Sequence, residues 1–583
     1  MANKNNTICT CILRLSIFVG LLSVVVTIIY YTPIPDFEES KRVSCDRECH
    51  ELEWPQICRY KIVLEALNIR RNNLNCLHNQ TNSNDLYCRS SINKIITANR
   101  QHPGPSIHVC QNDVLVVDII NKIPGHSLSV HWRGQLQKET PVMDGAPMVT
   151  QCSILPFTTF QYKFRASEAG THWWQVLSGD ELTEKLFGVF IVKQSKRREP
   201  HSTLYDHDLN NLLIEQISSG NIYEMRVNGN TSNTSISLKT NGRYRFRVIN
   251  FGGDLKCPVY IKFNQHHLTI ISIDGNPVVP KIVDSIIIKS DETLDFIVTT
   301  SEGKGIYYMV MKSTSHCLNM DLNHIITVYY NSSLNAIIED IKNPIHIKED
   351  LSEPNLITSS LKPLPYKLST PNVDNIVYLG FSTVRQNLGT LWSKPAFNNI
   401  SMILPSQPLL LNHPEDLEIC NIGNLPKRCS ISFCECTHII DIQFGSSVEI
   451  VIFDAEHTND QKKAPHSFHL HGYHFYEVGE KSEIYLNLID QIRKLDNDGK
   501  LLNRNLNNPV LKNSVSVPFA GVSAIRFLAD NPGYWLLRSE KTLEWSDGLS
   551  LIIKVTSPSG SYPSVPKDIP TCGNFIGPDF FLA

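Results

Sequence analysis

At 583 residues the chain is several times longer than one compact domain, and division by about 150 residues gives roughly four domains as a first expectation. Its 42% hydrophobic and 19% charged residues are those of ordinary globular protein, so large cores can be buried. A formal net charge of −3 with dispersed Lys and Arg gives no reason to expect a nucleic-acid partner; the one basic run, Lys196-Arg197-Arg198, falls in an expected linker.

The first element in chain order is an apolar run, residues 15–31, preceded by Lys4 and Arg14 and followed by Asp36, Glu38 and Glu39. This charge asymmetry keeps residues 1–14 in the cytoplasm and sends the remainder across the membrane. The run reads as a signal anchor (single pass, N-terminus in, C-terminus out) or as the signal peptide of a secreted protein, and no small-x-small cleavage site follows it. The cysteines agree with export. Of 16, two (Cys9 and Cys11) precede or enter the run, leaving an even fourteen beyond it, which suits disulfides in an oxidising compartment. The close groups Cys45/Cys49/Cys58/Cys76/Cys88 and Cys420/Cys429/Cys434/Cys436 have zinc sites as the alternative, with disulfides ranked ahead. Sequons at Asn79, Asn230, Asn233, Asn331 and Asn399 suit a glycosylated extracellular surface.

After a Cys-rich leader, residues 45–90, the texture becomes short alternating segments separated by Pro, Gly and Asn. Val114–Ile120, Thr159–Arg165, Tyr244–Asn250, Ser446–Phe453 and Leu549–Val555 read as strands, and no long helical period appears. Strands at this spacing predict an all-β chain of sandwich domains. Breaks at 195–201 and in the Pro-rich stretch 343–371 divide it into domains at 91–195, 202–345 and 373–575, with a linker at 346–372.

His466, His469 and His471 form the densest cluster of candidate ligands. Residues i and i+2 of a strand share a face, so His469 and His471 project together, and imidazole suits copper, zinc and iron alike. Three further segments complete the pattern: Val130-His131-Trp-Arg133-Gly-Gln followed by Met143-Asp144-Gly-Ala-Pro-Met-Val-Thr-Gln-Cys152; Gly170-Thr-His-Trp-Trp-Gln175-Val-Leu177; and Asn531-Pro-Gly-Tyr-Trp-Leu-Leu-Arg538-Ser539-Glu540, running on to Leu549. In order and spacing, the four motifs resemble those of the multicopper oxidases (laccases, ascorbate oxidases, ferroxidases), most closely the insect laccase-like branch.

The resemblance implies three cupredoxin-like Greek-key sandwiches. It also implies a type-1 copper in the third domain and a trinuclear type-2/type-3 cluster between the first and third. Carried over residue by residue, the type-1 site keeps His466, while its other positions hold Ser539, Glu544 and Leu549. A serine hydroxyl does not replace a thiolate at a blue copper site. Of the type-3 positions only His471 is a histidine; the other five are Arg133, Gln175, Leu177, Arg538 and Glu540. Thr542 stands where many relatives carry an acid. The type-2 pair, His131 and His469, is present, as is Asp144.

Arg133, Gln175 and Glu540 fall on one copper position, so an Arg133–Glu540 salt bridge supported by Gln175 is expected across the domain interface, and Glu544 is placed to accept from His466. The resemblance also implies a Cys152–Cys572 disulfide. No catalytic residue and no cofactor are expected; the alternative is a single copper on His131 and His469. The functional expectation is a non-catalytic extracellular protein with a binding or structural role, whose partner is an extracellular protein or a matrix or cuticle component. A residual mononuclear copper protein or oxidoreductase is the alternative.

Overall fold

The computed structural model describes residues 14–27 and, with short interruptions, 45–572; segments 1–13, 28–44, 71–91, 331–355 and 573–583 lie outside the described residues. Cys9, Cys11, Cys76, Cys88, Asn79, Asn233, Asn331 and most of the expected 346–372 linker fall on such segments. Residues 14–27 are helical and belong to a separate unit, Met1–Arg47. Among the described residues no helix is long and apolar enough to cross a membrane; the end of the expected 15–31 segment lies outside the described residues.

Residues 48–583 form the second unit, and its described part is built almost wholly of strands. The first sandwich packs a sheet in the order Ile92–Ala98, Ile57–Arg70, Val114–Asn121, Thr159–Arg165 against one in the order Ile107–Cys110, Phe187–Lys193, Gly170–Leu177, Ser129–Arg133. Ile57–Arg70 pairs in parallel with Val114–Asn121, so part of the leader expected to precede this sandwich is woven into it, and Cys49–Cys110 ties its start to the fold. The reason is visible in alternation: Cys58, Ile62 and Leu64 are buried, as one face of a sandwich strand must be.

Two six-stranded sheets form the second sandwich around Phe246, Ile270, Phe296 and Met309. The third is one continuous sheet folded over a core of Phe397, Phe468, Trp535 and Ile553; each such side chain contributes about 1.5–3 kcal/mol by leaving water. Its helix Ile489–Asn497 departs from the expectation of no helical period. It buries Ile492 alone, too narrow an apolar stripe to read against the polar background.

Close packing joins the sandwiches. His172 is clasped between the first and second: a Cβ on Gly134 would lie 2.0 Å from its Nδ1 and one on Gly275 2.4 Å from its Cε1. Between second and third, Lys512 bonds Glu292 and Glu477, all three buried. Asp274 sits in a tight turn at φ +48° and also accepts from the amides of Thr293 and Asn513. Cys152–Cys572 spans 420 residues from the first sandwich to the chain's C-terminal tail.

Candidate metal centre and its charged surroundings

The strand Ser129–Arg133 lies beside Gly170–Leu177 with His131 opposite Gln175 and Arg133 opposite Trp173. Alternation turns Val130 and Trp132 into the core and presents His131 and Arg133 to the third sandwich. From that side His466–Leu470 pairs with Gly533–Ser539, placing His469 opposite Arg538 and Phe468 opposite Ser539. Arg538 and Glu540 therefore share one face with the histidines, and Ser539 points to the other.

Three histidines converge. His131 Nε2 lies 3.0 Å from His469 Nε2, the His131 and His471 rings are 3.9 Å apart, and one ligand atom from each of the three lies within 4.8 Å of the others. Their outer nitrogens are fixed: His131 Nδ1 donates to the Asp144 carbonyl at 2.7 Å, His469 Nδ1 to the Asn513 carbonyl at 2.6 Å, and His471 Nδ1 to Asp144 Oδ2 at 2.7 Å. The Asp144 and Asn513 carbonyls only accept, so the Nδ1 atoms of His131 and His469 carry hydrogens, and all three Nε2 atoms point inward.

Burial holds His471 down to about 4 despite Asp144. Burial, then Arg133 and the neighbouring rings, holds His469 well below its ordinary value. Burial opposes the Asp144 charge, but His471 and His131 outweigh it and keep the carboxylate ionised. At 3.0 Å the Nε2 atoms of His131 and His469 share a proton or flank a cation, since two bare lone pairs would repel. His471 Nε2, buried and without a partner among the described residues, completes a donor set that fits one metal ion, with Asp144 orienting His471 from behind as an outer carboxylate does.

A charged cluster adjoins the trio. Arg133 Nη1 is 2.5 Å from Glu540 Oε1, Arg538 Nη2 is 3.4 Å from Glu540 Oε2, and all three side chains are buried. Arg133 stacks 4.7 Å over Trp173, and Arg538 lies 5.7 Å from the Trp545 ring. Burial raises the Glu540 pKa, yet Arg133, Arg538 and Lys256 outweigh it and hold the carboxyl at about 2. Gln175 is not part of this contact: its Oε1 accepts from Trp173 Nε1 at 3.2 Å, its same-face neighbour two residues back on the same strand. Asn513 takes the supporting place, its Oδ1 3.4 Å from Arg133 Nε, together with the Asp291 carbonyl. Leu177 is buried apolar packing.

On the opposite face of the strand, His466 Nε2 lies 3.3 Å from Glu544 Oε1 and 3.3 Å from Lys541 Nζ. Lys541 Nζ bonds Glu544 Oε1 at 3.1 Å, and Ser539 Oγ donates to Glu544 Oε2 at 3.0 Å. Whether Nε2 accepts from the ammonium or donates to the carboxylate, His466 is tied to the side chains that stand at and beside the other type-1 positions. With Leu549 buried alongside, this donor set does not fit copper. Burial raises Glu544, but His466 and Lys541 hold it at about 2. Sequence reasoning missed Lys541; its position between Glu540 and Thr542, beside a replaced ligand strand, was the signal available. A cavity of about 320 Å³ leads to both faces, lined in part by Glu184, Lys256, Arg538, Glu540, Lys541 and Glu544.

Family models described as multicopper oxidase match residues 80–197, 198–332 and 405–559, one for each sandwich. The chain belongs to the multicopper oxidase family. Among curated multicopper oxidases it is 26% identical to Laccase-7 of Oryza sativa subsp. japonica, over 82% of this chain and 91% of that one. It is 24% identical to Laccase-4 of Arabidopsis thaliana, over 82% and 92%. The fold matches that of Fet3p, a multicopper oxidase that functions in iron import, with a TM-score of 0.67 at 20% identity over 88% of this chain and 93% of that one. It matches the laccase of Botrytis aclada with a TM-score of 0.64 at 21% identity, over 90% and 92%. The multicopper oxidase fold thus supplies the three-domain, all-β architecture in which these residues meet.

Proposed function

We propose that this multicopper oxidase relative does not reduce oxygen and acts outside the cell as a binding or structural protein, its type-1 and type-3 copper positions given over to charged side chains. The carrying observation is the occupation of both faces of one strand. Glu540 is clamped between Arg133 and Arg538 on one face, while Ser539, Glu544 and Lys541 close around His466 on the other. Oxygen reduction in this family needs electrons to pass from a thiolate-bound copper to a cluster through that strand. Here the type-1 terminus has no sulfur, Arg538 and Glu540 stand at the flanking positions of the strand, and guanidinium groups repel added cations at the cluster end.

The structural role rests on the same residues: an ion pair and a disulfide span the surfaces that a copper cluster would bridge. Its partner is taken to be an extracellular protein or matrix component, with export directed by the N-terminal apolar segment. A second reading is favoured by the inward lone pairs of His131, His469 and His471, which suit one copper bound without turnover. Such an ion would supply a positive charge to the three Nε2 atoms, while Asp144 and the Asn513 carbonyl orient the rings.

Metal content, visible absorption and oxygen uptake with a phenol and with ferrous iron test both. The proposal expects no thiolate–copper band and no oxygen consumption. Either signal in the purified chain overturns it. One bound copper per chain, lost on His131→Gln, with no oxygen uptake establishes the second reading.

A further inference from the structure

Three neutral nitrogens are all that the histidine trio offers an ion. Among the described residues, no cysteine or carboxylate joins His131, His469 and His471 in their ligand group. Asp144 Oδ2 is engaged by His471 Nδ1 at 2.7 Å, on the far side of that ring, and Glu540 is held by Arg133 and Arg538. The three residues are at most 3% exposed, so no open position faces bulk water. Zinc on three protein ligands keeps a fourth place for water, and copper(II) favours a tetragonal set of nitrogen and oxygen. Copper(I), with its filled d shell, is satisfied by three imidazoles alone. An ion about 2.0 Å from each nitrogen sets them roughly 3.3–3.5 Å apart. His131 Nε2 and His469 Nε2 stand at 3.0 Å, and one ligand atom from each of the three lies within 4.8 Å of the others.

Charge points the same way. Arg538 lies opposite His469 in the paired strands. Asn513 links the trio to the clamp: its carbonyl accepts from His469 Nδ1 and its Oδ1 from Arg133 Nε. The two guanidiniums are matched by two carboxylates, Glu540 and Asp144, while Lys256 is paired with Asp291 at 2.6 Å. Nothing in these surroundings is left over to neutralise an incoming ion. A monovalent ion adds one uncompensated charge to the buried space and a divalent ion two, and the cost of burying a charge grows as its square.

We propose that the trio is a trigonal copper(I) site in which Arg538, aided by Arg133, sets the valence. This rests on the second reading above, one copper bound without turnover, and states which copper it is. His131, His469 and His471 each give Nε2, and no side chain on the page supplies the further ligand or the negative charge that copper(II) or zinc needs. The positive charge of Arg538 beside His469 disfavours loss of an electron from the bound ion. The site therefore stores copper(I) and does not cycle it.

The full chain is loaded without oxygen with copper(I) against a chromophoric competitor, and separately with copper(II) and with zinc, then exposed to air. The expected result is one copper(I) per chain, three nitrogen neighbours by X-ray absorption, and no paramagnetic copper(II) signal after exposure. His471→Gln should weaken copper(I) binding at least tenfold. Arg538→Met, which keeps the Arg133–Glu540 pair, should shift the balance at least tenfold toward divalent ions and lower the copper reduction potential. A merely structural arginine would move neither. A copper(II) signal in air that vanishes in His471→Gln, zinc bound as tightly as copper(I), or unchanged selectivity in Arg538→Met overturns this proposal alone. Binding of no ion at all overturns it together with the second reading.

Discussion

Replacing Glu540 by Gln keeps the side chain's shape and removes the charge between Arg133 and Arg538. Glu540 titrates at about 2 in the folded chain against an ordinary 4.5, and at about 1.4 kcal/mol per pH unit that difference is worth about 3 kcal/mol. Breaking a buried pair by removing one partner costs about 3–5 kcal/mol, so the two routes agree. Because Arg133 stacks on Trp173 and Arg538 lies near Trp545, tryptophan fluorescence during urea unfolding reads the perturbed region directly. At pH 7 Glu540→Gln is expected to be less stable than the parent by about 3 kcal/mol. The folded pKa is depressed, so this contribution is present above pH 4.5 and is lost as the pH falls toward about 2; the gap between the two proteins closes over that window. Combining Glu540→Gln with Arg133→Met should recover much of the loss, since the double variant removes the closer guanidinium and leaves only Arg538, which also donates to the Ser539 carbonyl. A coupling energy under about 0.5 kcal/mol in that cycle, or a gap unchanged between pH 7 and pH 3, refutes the reasoning.

Burial, then the neighbouring His474, depresses His172 to about 3 from an ordinary 6.5. The unfolded chain thus takes up a proton first, and stability falls as pH drops from about 6.5 through this range; His172→Gln should flatten that dependence in urea titrations at pH 7.5 and 5. Removing the Cys152–Cys572 bridge by Cys152→Ser should cost about 2–5 kcal/mol, seen as a lower urea midpoint. The triple variant Ser539→Cys/Lys541→Ala/Glu544→His, loaded with copper, should gain a thiolate–copper absorption band yet consume no oxygen, because Arg133, Glu540 and Arg538 still fill the adjoining space. Oxygen uptake by that variant would show that the space admits copper after all.

The three sandwiches were legible because two-residue alternation and Pro/Gly punctuation are local signals, repeated along the chain. The four motifs were legible through resemblance, which set Arg133 and Glu540 at one copper position of the family, and the two side chains meet there. Other parts of the site carry no such mark. The carbonyls of Asp144 and Asn513, which fix the inward lone pairs, are backbone atoms and have no residue identity. Lys541 acts through the turn that follows its strand. Gln175 was assigned by position alone, and its same-face neighbour Trp173, two residues back on the same strand, takes its side-chain oxygen instead. The strand Ile57–Arg70 was hidden because it lies inside the Cys-rich leader and its partners, Ile92–Ala98 and Val114–Asn121, are distant in sequence.

The backbone ladder through the replaced strand is unbroken: the Ser539 amide donates to the Leu549 carbonyl at 3.1 Å and the Glu540 amide to the Ser467 carbonyl at 2.9 Å. Peptide groups hold positions 538–540 in register whatever occupies the space beside them. Under the proposed function, the third sandwich would reach its finished form without waiting for copper delivery.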